Sequence, residues 1–549
     1  RSCVQHQPPG QRAASLRRQS ALTARFFPMS SDCLDDYHAA PPSPLLALVG
    51  MPHLHGALQA AAAAAEPKPR VLSFASDGAY VEAQPVPSGE AANLVLKPGW
   101  LHKHTHCIAG AAALLASWDD STSATGVAAQ IGAIRNASGR SRLLLVLVQA
   151  SGEASPAPPS EERIAALRRA CDLEPRNLLV VSADGPPPSL DAASLARGVK
   201  VLLEAAAAYY RDEARRARPP KATAPQLAAR HHTKRAVFAE LSHEPVLAQR
   251  HWQLAAEQLR ELVRLAAGSG AEADVASSVP LHEVKRVAEL AVRRICAYGM
   301  TAPQGAAAAS RHAEVFDVFR RHVRLFQPLA QQPPPVDARG AAAAGHVHSG
   351  WMGKQHRWFA KLLEESDAPA VAAAAAGGGS AAEGSAHFAE PGFYYQAAAS
   401  CALQRRRFAE VLSGLDAAAA GAAAAEAAPS YGAVAAVLGV PAEVNAELDT
   451  RAVIELLTRA YERFKRARAP RMIYFLAAQA CPRSPHALSP RRGRRSLGTT
   501  RTHHAPTTHP RRVPLGEPLG EALPLCASPL CASPRATEPH CARAATELA

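Results

Sequence analysis

The chain has 549 residues, enough for two to four domains, with only 5% aromatic residues and a formal net charge of +14. Five arginines without an acid in residues 1–31, and ten arginines against four glutamates in 481–549, leave +3 for the 449 residues between, a nearly neutral body that argues against nucleic-acid binding. Ten scattered cysteines without a CxxC pair, and no run of about 18 strongly apolar residues, argue against a disulfide framework and a membrane span and for a soluble or peripheral protein in a reducing compartment.

Residues 1–40 read as a disordered or misannotated N-terminus. Their arginine- and serine-rich start resembles a transit peptide in composition, yet the chain begins at Arg1, and Met29 is a plausible true start. From 41 to 186 short apolar runs alternate with helical segments. The strand candidates are LLALVG (45–50), RVLSFA (70–75), CIAGAAALLAS (107–117), RLLLVLVQ (142–149) and NLLVVSA (177–183). Their near-continuous apolarity suits strands covered on both faces. Helices GVAAQIGAIRNAS and SEERIAALRRACDL lie between them, the second opened by a capping Ser160. This alternation predicts a three-layer α/β domain with a mostly parallel sheet.

Within that domain GWLHKHTHC (99–107) raises the question of a metal. On a strand His102, His104 and His106 share one face, but the outer two then lie roughly 13 Å apart, too far for a common ion. Further ligands would have to come from His346 and His348, or from His231 and His232, and nothing in the sequence brings these together. No metal site is therefore expected.

From 187 to 480 one amphipathic helix follows another. The clearest is LHEVKRVAELAVRRI, where Leu281, Val284, Val287, Ala288, Ala291, Val292 and Ile295 make one apolar stripe. Similar patterns run through 190–217, 224–242, 246–266, 310–327, 351–365, 393–413 and 450–480. Successive helices with single apolar faces predict an α-solenoid of stacked hairpins. Alanine-, glycine- or proline-rich inserts at 302–309, 328–345, 367–387 and 415–430 are expected as surface loops, and 481–549 as a disordered tail or gene-model error.

Catalytic signals are missing from the sequence. No GxGxxG, GxxxxGK[ST] or GxSxG occurs, and Asp119 and Asp120 point apart in any regular structure. No catalytic residue, cofactor or metal ligand is assigned. Arg211, Arg215, Arg216 and Arg218 sit at a helix end, where they oppose its dipole or meet an anionic surface. Phe316, Phe319 and Phe326 read as core.

Several blocks, in order, resemble a known family. LLALVGMPHLH (45–55), LKPGWLHKH (96–104), RLLLVLVQ, EERIAALRRACDLEPRNLLVV, YYRDEARR (209–216), WMGKQHRWFAKLLEES (351–366), EPGFYYQAAA (390–399) and IELLTRAYERFKRARAPRM (454–472) are similar to the foie-gras-domain family, the eleventh-subunit type of the transport protein particle (TRAPP) tethering complex, especially its plant and algal forms. The matching positions are Trp100, Lys103, His104, Tyr209, Tyr210, Arg211, Asp212, Glu213, Arg215, Arg216, Trp351, Met352, Gln355, Pro391, Gly392, Phe393, Tyr394, Tyr395 and Gln396. His102 and His106 have no counterpart, which counts further against a metal. The resemblance implies a foie-gras α-solenoid of TPR-like hairpins over 187–480 and a non-catalytic role in transport between endoplasmic reticulum and Golgi. It implies other TRAPP subunits as partners, a Rab-type GTPase indirectly, and a cytoplasmic protein peripheral at Golgi membranes. The family continues into further modules, so the chain reads as truncated. The rival readings are a free-standing helical-repeat adaptor and a small-molecule enzyme built on the α/β domain.

Overall fold

The computed structural model describes residues 37, 42–85, 94–97, 99–118, 123–151, 160–184, 189–218, 224–266, 281–301, 306–327, 338–366, 389–420, 446–467 and 469–480. They fall into two compact units, one within Arg1–Ala344 and Lys361–Ala389, the other within Gly345–Ala360 and Glu390–Ala549. The expectations for the N-terminal 36 residues, for Asp119 and Asp120, for the insert at 367–387 and for the tail lie outside the described residues.

In the first unit the apolar runs become β1 (Leu45–Val49), β2 (Arg70–Phe74), β3 (Ala111–Trp118), β4 (Arg142–Ser151) and β5 (Leu178–Asp184), with Ser189–Leu190 adding β6. The sheet order is β2-β1-β3-β4-β5-β6, the first five strands parallel and the last antiparallel to β5. Leu46 pairs with Ala111 and Val71, placing β1 inside the sheet.

The helices that cover it are α1 (His55–Ala63), α2 (Asp77–Glu82), α3 (Trp100–His102), α4 (Ala124–Ser138), α5 (Glu161–Cys171) and α6 (Ala192–Arg216). Their starts follow from the sequence. Ser76, Ser123, Ser160 and Asp191 each accept a hydrogen bond from a backbone amide three residues on. Because strand side chains alternate, Leu46, Leu48, Leu144 and Val146 join Leu58 of α1 and Leu202 of α6 in one core. Leu45, Ala47, Leu145 and Leu147 join Ile131 of α4 and Leu167 of α5 in another. Two apolar faces, each covered by helices, make the three-layer α/β arrangement.

The first core continues into α7 (Pro225–Leu241), α8 (Pro245–Ala266) and α9 (Leu281–Met300), with α10 (Ala306–Phe326) packed on α9. The α7–α8 turn is three residues long, with His243 at φ 59°. Phe316, Phe319 and Phe326 are buried. In the second unit, residues 345–360 of α11 (Ala338–Glu365) meet α12 (Pro391–Ala420), α12 meets α13 (Ala446–Arg466), and α13 meets α14 (Pro470–Ala480).

Two expectations need correction. The alanine inserts are partly helical, since α10 begins at Ala306, α11 at Ala338, and α12 runs to Ala420. Alanine has the highest helix propensity and extends a neighbouring helix even where it packs little. The pattern over 450–480 is two helices, because Pro470 lacks the amide hydrogen a continuous helix would need there.

Candidate functional site

The histidine stretch is helical, not extended. Gly99, at φ 69°, opens α3, and Lys103–Cys107 continue it as a π-turn in which Ile108 N donates to Lys103 O at 2.8 Å. Thr105 donates its hydroxyl to Leu101 O at 2.9 Å, the back-bonding that loosens a helical turn. The strand geometry assumed for the three histidines is therefore wrong. His102 and His106 stack one turn apart, ring centroids at 4.7 Å, while His104 turns towards Trp100 at 4.8 Å and Phe238 of α7 at 5.2 Å. Among the described residues no group of three or more His, Cys, Asp or Glu is arranged to hold a metal ion.

This turn meets the YYRDEARR block through Phe238. Trp100 lies 5.4 Å from Phe238, edge to face, and Tyr210 of α6 stacks on the same ring at 6.4 Å. Lys234 lies over Trp100, and burial with the nearby charges of Lys103 and Lys234 pushes the His104 imidazole down to about 3. Tyr210 is fully buried and its hydroxyl accepts the amide hydrogen of Leu45 at 3.1 Å, tying α6 to the start of β1. A β-carbon on Gly110 would lie 2.8 Å from the Tyr210 ring, so only glycine fits there. Burial raises the Tyr210 hydroxyl to about 12 and Tyr209 further still.

The charged half of the block is paired. Asp212 receives Arg142 of β4 at 2.5 Å and Arg215 at 2.9 Å, Glu213 receives Arg216 at 2.5 Å and faces Arg140, and Arg211 reaches Glu244 at 3.3 Å. Of the four arginines read as a helix-end cluster, Arg211 ties α6 to the α7–α8 turn, whereas Arg215 and Arg216 pair within α6 itself.

In the second unit the remaining signature residues meet one another. Met352 and Gln355 are buried on α11, and Trp351 lies beside His348 at 6.1 Å. Gly353 approaches Cys401 of α12 so closely that a β-carbon would lie 3.3 Å from its Cβ. Pro391 and Gly392 begin α12, where Glu390 accepts the Gly392 amide hydrogen at 3.4 Å. Phe393 meets Phe464 of α13 edge to face at 5.2 Å, Tyr394 meets Phe359 at 4.7 Å, and Tyr395 is fully buried with Arg459 over its ring. Gln396 is half-buried on the same helix.

One feature was missed in the sequence. Glu240, at the end of α7, has a side chain 1% exposed. It accepts hydrogen bonds from Tyr37, from Trp252 of α8 at 2.8 Å and from Tyr298 of α9 at 2.9 Å, with Arg294 at 3.5 Å. Arg294 also lies over the Tyr37 ring at 4.5 Å. Only the acid inside the apolar run AVFAEL hinted at it.

The sheet order is that of a doubly wound fold, whose ligands bind where adjacent crossovers diverge, here beyond β1 and β3. The described part of that mouth closes on itself. Gly50 is at φ 81°, a β-carbon there would lie 2.6 Å from Leu115 O, and His55 Nε2 bonds Gly50 O at 2.7 Å.

The family model described as foie gras liver health family 1 matches residues 281–481, which takes in α9 to α14. Over those residues the chain carries a foie-gras domain. The chain is also 26% identical to trafficking protein particle complex subunit 11 of Gallus gallus over 341 residues, which is 59% of the chain and 26% of that relative. The Homo sapiens protein of the same name is 26% identical over 337 residues, 58% of the chain and 25% of the relative. The chain spans about a quarter of the length of these curated relatives. Less than half of it lies beyond residue 280, so the likeness reaches back before the family match. Among the described residues no helix is long and apolar enough to cross a membrane.

Proposed function

We propose that this foie-gras protein is a non-catalytic subunit of a TRAPP-type tethering complex, acting as a docking scaffold in transport between endoplasmic reticulum and Golgi. The observation that carries the reading is the likeness to trafficking protein particle complex subunit 11, which extends beyond the family match. Packing of the signature residues supports it: they join helix to helix and α6 to the sheet, leaving outer helix faces for partners. In this reading residues 187–480 form an α-solenoid that serves as the docking surface. Other TRAPP subunits are the direct partners, a Rab-type GTPase is reached through them, and the protein is cytoplasmic and peripheral at Golgi membranes.

The test is affinity capture of the tagged full chain followed by mass spectrometry. Recovery of other tethering subunits in stoichiometric amounts is expected. Capture of unrelated partners alone would favour a free-standing helical adaptor and overturn the proposal.

A further inference from the structure

The densest run of basic side chains lies on α7, which reads RHHTKR from Arg230 to Arg235. Thr233 is buried and donates its hydroxyl to Ala229 O at 2.8 Å. Two of the cations are occupied. Arg230 donates to the carbonyls of Leu94 and Val95, and Lys234 covers Trp100.

The others face α8. His232 meets His251 with Nδ1 atoms 3.3 Å apart and rings stacked at 5.4 Å. Arg235 feels the charges of Arg218, just beyond α6, and of Arg250 on α8, and His251 feels those of Arg235 and Arg250. Around the stacked imidazoles of His232 and His251, three guanidinium groups from three segments thus lie within electrostatic reach of one another.

Acids on adjoining turns are engaged elsewhere: Glu213 with Arg216, Glu244 with Arg211, Glu257 with Arg260. Among the described residues Arg218, Arg235 and Arg250 have no carboxylate partner. The intervening residues 219–223, PPKAT, contain a lysine and no acid. His251 is 4% exposed, and its Nε2 and the Nε of half-buried Arg235 are enclosed without a hydrogen-bond partner. Like charges gathered this way repel unless an anion sits among them. Guanidinium groups match phosphate oxygens in bidentate geometry. Arg218 and Arg250 are exposed and Arg235 is half-buried, so an anion can reach the cluster from solvent.

We propose that Arg218, His232, Arg235, Arg250 and His251 form a binding site for a phosphate-bearing ligand, either a free phosphate compound or the phosphorylated headgroup of a lipid. The test compares the full chain with its Arg235→Gln/Arg250→Gln variant. Inorganic phosphate should raise the unfolding midpoint of the wild type more than that of the variant, with apparent affinity about tenfold lower in the variant. Without phosphate the variant should melt no lower than the wild type, because repulsion has been relieved. Arg218→Gln, an exposed position, provides a second variant that keeps its fold and should also bind phosphate more weakly. Co-sedimentation with phosphatidylcholine vesicles, with and without a phosphorylated inositol lipid, separates the two sources. Wild-type retention only on the inositol-lipid vesicles, lost in both variants, assigns a lipid headgroup, whereas a midpoint shift without retention assigns a free phosphate compound. Equal phosphate shifts in wild type and both variants would reflect general salt stabilisation and overturn the site.

Discussion

Tyr210 fills the space that Gly110 leaves beside β3, and its hydroxyl takes up the first amide of β1. Gly110→Ala should therefore cost about 1–3 kcal/mol by overpacking, read from urea unfolding. A compensating Tyr210→Leu should relieve the clash but lose the hydrogen bond, so the double variant stays below wild type. His104 makes a second residue-scale prediction. In the native protein it stays neutral down to about pH 3, whereas in the unfolded chain it protonates near its ordinary value of about 6.5. The unfolded state binds more protons between these values, so His104 lowers stability as pH falls through that window and adds no pH dependence above it. His104→Gln should narrow the drop in unfolding midpoint between roughly pH 7 and pH 4. Zinc should leave the midpoint unchanged, since His104 points away from the stacked His102 and His106.

Helix α12 shows how core and surface divide along one element. Tyr394, Tyr395, Ala398 and Ala399 are buried, and Arg406 and Arg407 are exposed. Tyr394→Ala should cost about 3 kcal/mol or more, measured by thermal or urea unfolding. Reversing Arg406 and Arg407 to glutamate should leave stability nearly unchanged. Arg405 does not belong with them, because it is half-buried and a β-carbon on Gly350 would lie 3.3 Å from its Nε. The Glu240 contacts join three helices, so Glu240→Gln should cost about 3–5 kcal/mol by giving several buried donors a part-donor amide. Most elements were legible beforehand because apolar periods of two and about 3.6 residues were clear, as in RLLLVLVQ and LHEVKRVAELAVRRI. The turn around His104 was not, since alternating histidines fit a strand pattern while the backbone choice was made by Gly99, Thr105 and the ring of Phe238. Glu240 was hidden for a related reason: its partners lie 12, 58 and 203 residues away, and no local pattern predicts a hydrogen bond at such separations.

At the scale of the whole molecule, charge is unevenly distributed: +14 over 549 residues but +3 over 32–480. Retention of the full chain on heparin should fall with salt and should largely disappear when residues 1–31 and 481–549 are removed. Retention carried mainly by 32–480 would overturn this account. Each described unit has buried residues of its own, with Trp252 and Tyr210 in the first and Phe464 and Tyr395 in the second.

The bond between Leu45 and Tyr210 spans 165 residues of chain and bears on synthesis at the ribosome. A polypeptide emerges at about 5–20 residues per second, so β1 waits roughly 10–30 s for the tyrosine that takes up its first amide. During that interval β1 to β4 are made well before α6, which with α1 covers one face of their sheet. The nascent strands therefore expose Leu46, Leu48, Leu144 and Val146 together, and a chaperone that shields apolar strands has its period of greatest demand before residue 210 is translated.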